Sequence, residues 1–397
     1  MKKNIGFLTY DLQPFTEDCL FRIQNEALDW NITAYPVIEH PYQYSSRVKY
    51  FLTNQKGKFL GIQKKNKTPE GLMSNINFKT AYNCAKKSDI IVLFGLQGAT
   101  AILATIISRL LGKKLISVNQ TLPVKYEKQR QWWVILFKKF ILKNCCCHIS
   151  QTSATFETLR TVYGIDDNKI YYAPFEAGAN WFKKLAEANK NNMLFYSRAI
   201  NPEGKKTVFF FVGNLHKFKG IETIIMALSV MDNKARENVA CLFAGPEEPS
   251  NKDGGTISHY VDFAKGLGVD QSILFLGKLD PPQLIAAYNE SHVVMLPTYR
   301  DMFAKVMVEG AILKKPLITT FAHGAADAIV INGYNGYLIN PGDFRGLSLS
   351  MINLCNEALR DEMGSKSLDL VNKICDQNKE VQGYIQAINV AISQGTK

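Results

Sequence analysis

The residues best suited to chemistry lie in the second half of the chain. Gly213-Asn214-Leu215-His216-Lys217-Phe218-Lys219-Gly220 follows a β-branched and aromatic run, residues 208–212, and precedes an apolar stretch of helical character from residue 221. A glycine after a strand lets the backbone turn tightly, and the N-terminus of the next helix favours anions. Lys219 would then reach a diphosphate, although a Gly-Lys turn also suits a plain solvated loop. Downstream, Asp301 and Glu309 lie in Pro297-Thr298-Tyr299-Arg300-Asp301-Met302-Phe303-Ala304-Lys305-Val306-Met307-Val308-Glu309, after the apolar run 293–296. A carboxylate where a strand opens into a helix is a good acceptor for vicinal sugar hydroxyls, each oxygen taking one O–H in a charge-assisted bond. The backbone amides of Phe303, Ala304, Lys305 and Val306 are helix-start donors open to phosphate or sugar oxygens. The alternative for Asp301 is a simple N-cap.

The elements that must hold these residues read as alternating strands and helices. Short apolar runs at residues 5–10, 90–94, 115–118 and 146–150 are separated by helix-length segments such as 99–111 and 155–163. The rhythm repeats at 208–212, 240–244, 273–276, 293–296, 317–320 and 336–339, with helices expected at 221–231, 260–267, 281–289 and 347–359. Such alternation predicts an α/β chain of two doubly wound, Rossmann-like domains facing a central cleft. The expected division is a first domain at 1–182, a linker at 183–206, a second domain at 207–367, and a C-terminal helix at 368–397 crossing back to the first.

The second half resembles the donor domain of family-four retaining glycosyltransferases, which have the GT-B fold. That family's Gly-Arg-Leu and Lys-Gly correspond to Gly213-Asn214-Leu215 and Lys219-Gly220, and its pair of glutamates to Asp301 and Glu309. The Pro-hydrophobic-Ile-Thr strand and Gly-Gly turn match Pro316-Leu317-Ile318-Thr319 and His323-Gly324. The Asn-Gly and Pro-Gly-Asp ending matches Asn335-Gly336 and Pro341-Gly342-Asp343. The likeness covers roughly residues 207–364, and the first half is similar only toward its end.

The resemblance implies a donor site of Gly213, Asn214, Lys219, Asp301, Phe303, Ala304, Lys305, Val306 and Glu309. In that scheme Glu309 holds the donor ribose, Asp301 contacts hydroxyls of the transferred sugar, and Lys219 neutralises the diphosphate as the glycosidic bond breaks. It implies a UDP- or GDP-linked sugar as co-substrate, no metal or other cofactor, and transfer of a hexosyl group with retained configuration. The acceptor would be a hydroxyl of a surface polysaccharide, glycolipid or lipid-linked glycan. Departures from the pattern are Asn214 for the phosphate-binding Arg, Asp301 for the first Glu, and Ala304 for a Gly. On the acceptor side Phe15 and Thr16 replace a glycine-rich loop, and Asn119 and Gln120 stand where a His is common. These changes keep two other readings open: a non-catalytic binder of sugar nucleotide or glycan, and a sugar-nucleotide epimerase.

Charge is distributed unevenly over the 397 residues. The formal net charge is +12, yet residues 1–200 hold 28 Lys and Arg against 14 Asp and Glu, so the excess lies wholly in the first half. Lys128, Arg130, Lys138 and Lys139 interleave with Trp132 and Trp133, a mixture suited to a helix lying on an anionic membrane surface, or to an ordinary helix with a solvated basic edge. Lys56, Lys58, Lys64, Lys65 and Lys67 add to it. No nucleic-acid-binding motif accompanies this stretch, so nucleic acid is not expected as a partner. The opening apolar run lacks signal-peptide features, which favours a cytoplasmic chain, peripheral on the inner face of the membrane. The eight cysteines, three adjacent at Cys145-Cys146-Cys147, have neither disulfide-framework nor metal-site spacing and read as buried thiols.

Overall fold

The computed structural model describes residues 2–10, 14–37, 48–50, 77–96, 98–176, 178–192, 194–248 and 255–394. The chain divides into two compact units, Met1–Phe175 with Asp376–Lys397, and Glu176–Cys375.

The first unit carries β1 (Lys3–Thr9), α1 (Pro14–Glu26), β2 (Trp30–Pro36), β3 (Lys49–Tyr50), α2 (Phe78–Lys87), β4 (Ile90–Phe94) and α3 (Ala99–Leu110). There follow β5 (Lys114–Asn119), α4 (Val124–Glu127), α5 (Trp132–Lys143), β6 (Cys147–Ser150), α6 (Ser153–Thr161) and β7 (Ile170–Tyr172). Among the described residues these strands form one parallel sheet in the order β3-β2-β1-β4-β5-β6-β7. The strands are apolar nearly throughout because both faces are covered, and alternate residues serve opposite cores. Ile5, Phe7, Ile90 and Val92 pack with Leu20 and Ile23 of α1, whereas Leu8, Ile91 and Leu93 pack with Ala81, Ala104, Ile141 and Leu159 of the opposite helices.

The second unit contains α7 (Ala179–Ala188), β8 (Thr207–Val212), α8 (Ile221–Ser229), α9 (Asn233–Glu237), β9 (Val239–Ala244), α10 (Ile257–Gly266), β10 (Ile273–Gly277), α11 (Pro281–Glu290) and β11 (Val293–Leu296). It continues with α12 (Lys305–Ile312), β12 (Leu317–Thr320), α13 (Ala326–Ile329), β13 (Gly336–Ile339), α14 (Phe344–Asn353) and α15 (Glu357–Ile374). Its parallel sheet runs β10-β9-β8-β11-β12-β13, so the winding reverses between β8 and β11. Local signals agree with these boundaries. Asp280 and Gln283 form a capping box that starts α11, with proline at its first position.

The last helix, α16 (Gln377–Ser393), belongs to the first unit, where Tyr384, Ala387 and Ile388 join the core beside Phe7. The segment from residue 368 is therefore two helices rather than one. Asp376 breaks it, its carboxylate accepting the amides of Asn378 and Lys379 to start α16.

Residues 183–206 are not a linker. The unit boundary falls at Phe175, and α7 packs into the second unit through Ala179, Phe182 and Ala186, a helical spacing hidden in a Lys- and Asn-rich stretch. The turn after it is fixed by Glu290, whose carboxylate accepts the amides of Tyr196 (2.8 Å) and Ser197 (2.9 Å).

Candidate functional site

Three loops leave the carboxyl ends of β8, β11 and β12, and hydrogen bonds tie them together. Phe218 O accepts from Tyr299 N (2.7 Å) and from Thr298 Oγ1 (2.8 Å), which fastens the loop after β8 to the loop after β11. The approach is close enough to require glycine at 220. Its φ is +79°, and an added Cβ would stand 2.0 Å from Pro297 O. The third loop joins through Asp301 N to Ala322 O (3.2 Å) and Gly324 N to Asp301 O (2.8 Å).

This fastening brings Lys219 against Asp301. Nζ of Lys219 lies 2.6 Å from Oδ2 of Asp301, and the two side chains remain 27% and 15% exposed. Oδ1 of Asp301 accepts the amide of Phe303 at 3.2 Å. The pair sits where the sheet order reverses, at the strand ends where open α/β sheets take ligands. Beside it Arg300 lies over the Phe218 ring at 3.9 Å, and His216 stacks with the same ring, its centroid 4.5 Å from that of Phe218. Burial lowers the His216 pKa, outweighing the pull of Glu248.

Glu309 is placed differently. It lies in the second turn of α12, and its Oε2 accepts the hydroxyl of Tyr288, on α11, at 2.7 Å. Burial raises the Glu309 pKa, opposed by the Tyr288 hydroxyl and by Lys305 one turn earlier. Tyr288 is itself wedged edge-on between Phe210 (5.1 Å) and Phe182 (5.7 Å) and fully buried.

The expectation of open amides from Phe303 to Val306 needs correction at two of its four positions. Phe303 N is taken by Asp301, and Ala304 N donates to Nε2 of His323 at 2.6 Å. A neutral imidazole that accepts at Nε2 carries its proton on Nδ1. Burial depresses the His323 pKa to about 4, so the ring is neutral at ordinary pH. Its Nδ1 has no partner among the described residues. Lys305 and Val306 open α12. Asn214, where the resembling family has Arg, donates Nδ2 to Glu248 at 3.2 Å, and Gly213 N is held by Ala244 O.

The acceptor-side expectations fare unevenly. Asn119 ends β5 as a buried cross-link, its Nδ2 donating to Ser117 Oγ (2.9 Å) and Ile149 O (3.2 Å). It ties β5 to β6 through its Nδ2, while its Oδ1 has no partner among the described residues. Gln120 follows it, half-buried, Thr16 is buried in α1, and Phe15 lies in the same helix with its side chain outside the described set.

The membrane-contact set also changes. Lys138 and Arg130 turn inward onto the fully buried Glu127, at 2.6 and 2.9 Å, and Tyr163 donates to the same carboxylate. Trp132, Lys128 and, more shallowly, Trp133 and Lys139 stay accessible. Lys56, Lys58, Lys64, Lys65 and Lys67 lie outside the described residues. All eight cysteines are free thiols, buried or half-buried. Sequence reasoning missed Tyr288, Phe182 and Glu248, whose roles depend on pairings across the unit that no local spacing records.

Two parallel sheets wound in this way, each interleaved with helices, have the GT-B fold. Over 99% of this chain and all of the other, the fold matches sucrose-phosphate synthase from Thermosynechococcus elongatus, with a TM-score of 0.73 at 16% identity. Anabaena Alr3699/HepE, solved in complex with UDP-glucose, matches over 98% of this chain and 100% of its own, with a TM-score of 0.68 at 18% identity.

Residues 192–368 match the family model of glycosyl transferases group 1. In sequence it is similar to the capsular polysaccharide biosynthesis glycosyltransferase CapM of Staphylococcus aureus, 31% identical over 216 residues, 53% of each chain. It is also similar to D-inositol 3-phosphate glycosyltransferase of Corynebacterium diphtheriae, 28% identical over 47% of this chain and 43% of the relative. The chain thus spans about half the length of these relatives.

Proposed function

We propose that the chain transfers a hexosyl group from a UDP- or GDP-linked sugar to a hydroxyl of a polysaccharide, glycolipid or lipid-linked glycan, with retained anomeric configuration and without a metal. The observation that carries this reading is the contact of Lys219 with Asp301 at the switch point of the second sheet. The nucleotide ligands named for Alr3699/HepE and the polysaccharide role named for CapM support the donor and acceptor classes by similarity.

Lys219, already held by a carboxylate, exchanges that partner for a diphosphate oxygen and stabilises the negative charge that grows on the leaving group. Asp301 then turns its freed oxygen to hydroxyls of the transferred sugar, and the amides opening α12 add donors beside it. Glu309 accepts from the ribose. Charge on the leaving group is met by side chain and backbone, which is why the reaction needs no metal in this scheme. The first unit, with its basic excess, handles the acceptor at the inner face of an anionic membrane.

A second reading, binding of sugar nucleotide without turnover, draws on Asn214, which faces Glu248 in place of an arginine on phosphate. A thermal-shift panel of nucleoside diphosphates and sugar nucleotides, followed by transfer assays with and without chelator, tests both. The expected result is a stabilising donor, chelator-resistant transfer, and loss of transfer in Asp301→Ala and Glu309→Ala with the fold retained. Full activity in both variants removes the site; tight binding with no transfer to any acceptor favours the second reading.

A further inference from the structure

The helix α5 carries a lysine on its buried face and large apolar side chains on its exposed one. Lys138, a residue type that belongs in water, faces the core with Val134, Ile141 and Leu142, and is neutralised there by Glu127. Trp132 and Leu136 face outward at 75% and 57% exposure, and Phe137 and Phe140 stand exposed beside them. The spacing 132, 136, 140, 143 is one stripe of a helix, and it is aromatic and aliphatic until it ends in Lys143.

The neighbouring helix continues the surface. At the C-terminal end of α3, Ile106, Leu110 (80% exposed) and Leu111 are in water, and Arg109 bonds Asn144 at 3.2 Å, joining the ends of the two helices. A single exposed leucine is unremarkable. Seven large apolar side chains on two packed helices form the kind of patch that marks an interaction surface.

Charge indicates the occupant. Residues 99–143 contain nine Lys and Arg and one acid, Glu127, which is buried and already paired. Every charge this stretch shows to solvent is therefore positive, including Arg109, Lys125, Lys128 and Lys143. Apolar rings framed by cations match a bilayer with anionic headgroups, where aromatics settle at headgroup depth and lysines meet phosphates. A second copy of the same face would bring these positive rims together in an isologous pair.

We propose that the face formed by α3 and α5 docks the first unit on an anionic lipid bilayer, with Ile106, Leu110, Trp132, Leu136 and Phe140 entering the headgroup layer and Lys128 and Lys143 on its phosphates. This deepens the membrane-side setting of the proposed function and names its surface, removing Lys138 and Arg130 from the contact and adding α3.

The test is co-sedimentation of the full chain with vesicles of phosphatidylcholine alone and of phosphatidylcholine with about 30% phosphatidylglycerol. Binding to the anionic vesicles, weakened by high salt, is expected. The triple variant Leu110→Ser, Trp132→Ser, Phe140→Ser changes only exposed side chains, so its melting temperature should match the parent while its partitioning falls about tenfold or more. Lys128→Gln with Lys143→Gln should weaken binding to the anionic vesicles alone. No sugar nucleotide is present, so a failure of transfer chemistry and a failure of docking are read separately. Absence of vesicle binding by the parent, or unchanged binding by a folded triple variant, overturns the proposal. So does a concentration-dependent dimer that the triple variant abolishes, which would assign the face to a second copy.

Discussion

Tyr288→Phe removes one oxygen from the interior of the second unit, and its effect can be worked from the surroundings of Glu309. The lost bond is a 2.7 Å donation to a carboxylate, the class worth about 1.5–3 kcal/mol. The phenyl ring keeps its edge-on packing between Phe182 and Phe210, so no cavity opens. What remains is a half-buried carboxylate short of a donor. Glu309 already stands above the ordinary carboxyl value of 4.5 because of burial, and the variant raises it further. A carboxyl raised in the folded state binds more protons there than in the unfolded chain, so stability falls as pH climbs from 4.5 through the raised value. The variant extends that fall upward. Urea unfolding should therefore show a loss of about 2 kcal/mol at pH 8 that shrinks toward pH 5. If Glu309 holds the donor ribose as a carboxylate, nucleoside diphosphate affinity of the variant should fall below the parent's as pH is lowered, because its carboxyl protonates first. Equal stability loss at both pH values with unchanged nucleotide affinity would refute the reasoning, because it would mean the hydroxyl only fills space.

Two further outcomes follow from the loops and from α5. Gly220→Ala places a Cβ against Pro297 O at a positive φ, and should cost about 3 kcal/mol in urea unfolding while weakening sugar-nucleotide binding by displacing Lys219. Glu127→Gln leaves Lys138 buried without its counter-charge and should cost about 3–5 kcal/mol at neutral pH. Although burial pushes the Glu127 pKa up, Lys138 and Arg130 outweigh it and hold the carboxyl below 4.5. Its contribution is complete above that value and lost as pH falls through the depressed one, so parent and variant should converge on acidification.

Much of the fold was legible because parallel strands buried on both faces are runs of apolar residues that no other element explains. The runs at 293–296, 317–320 and 336–339 coincide with β11, β12 and β13. Helices with weak or mixed composition were harder to see. The α7 segment looked like a linker because its exposed side is Lys, Asn and Glu, and only three apolar residues at helical spacing reveal the face that it buries.

The candidate site was half legible. Glycine and lysine after one strand, and a carboxylate after another, stand out because charged groups placed just beyond apolar runs mark the loops at strand ends. The sequence alone therefore determined two α/β halves, the uneven charge, the loops in which Lys219 and Asp301 lie, and the helix that carries Glu309. It could not determine which of these groups meet. That Lys219 pairs with Asp301 while Glu309 turns to Tyr288, that His323 takes the amide of Ala304, and that Lys138 faces inward are consequences of packing. Each is a contact between residues distant in sequence or on a helix face chosen by its neighbours, and burial makes such pairings favourable only where the fold brings the groups together.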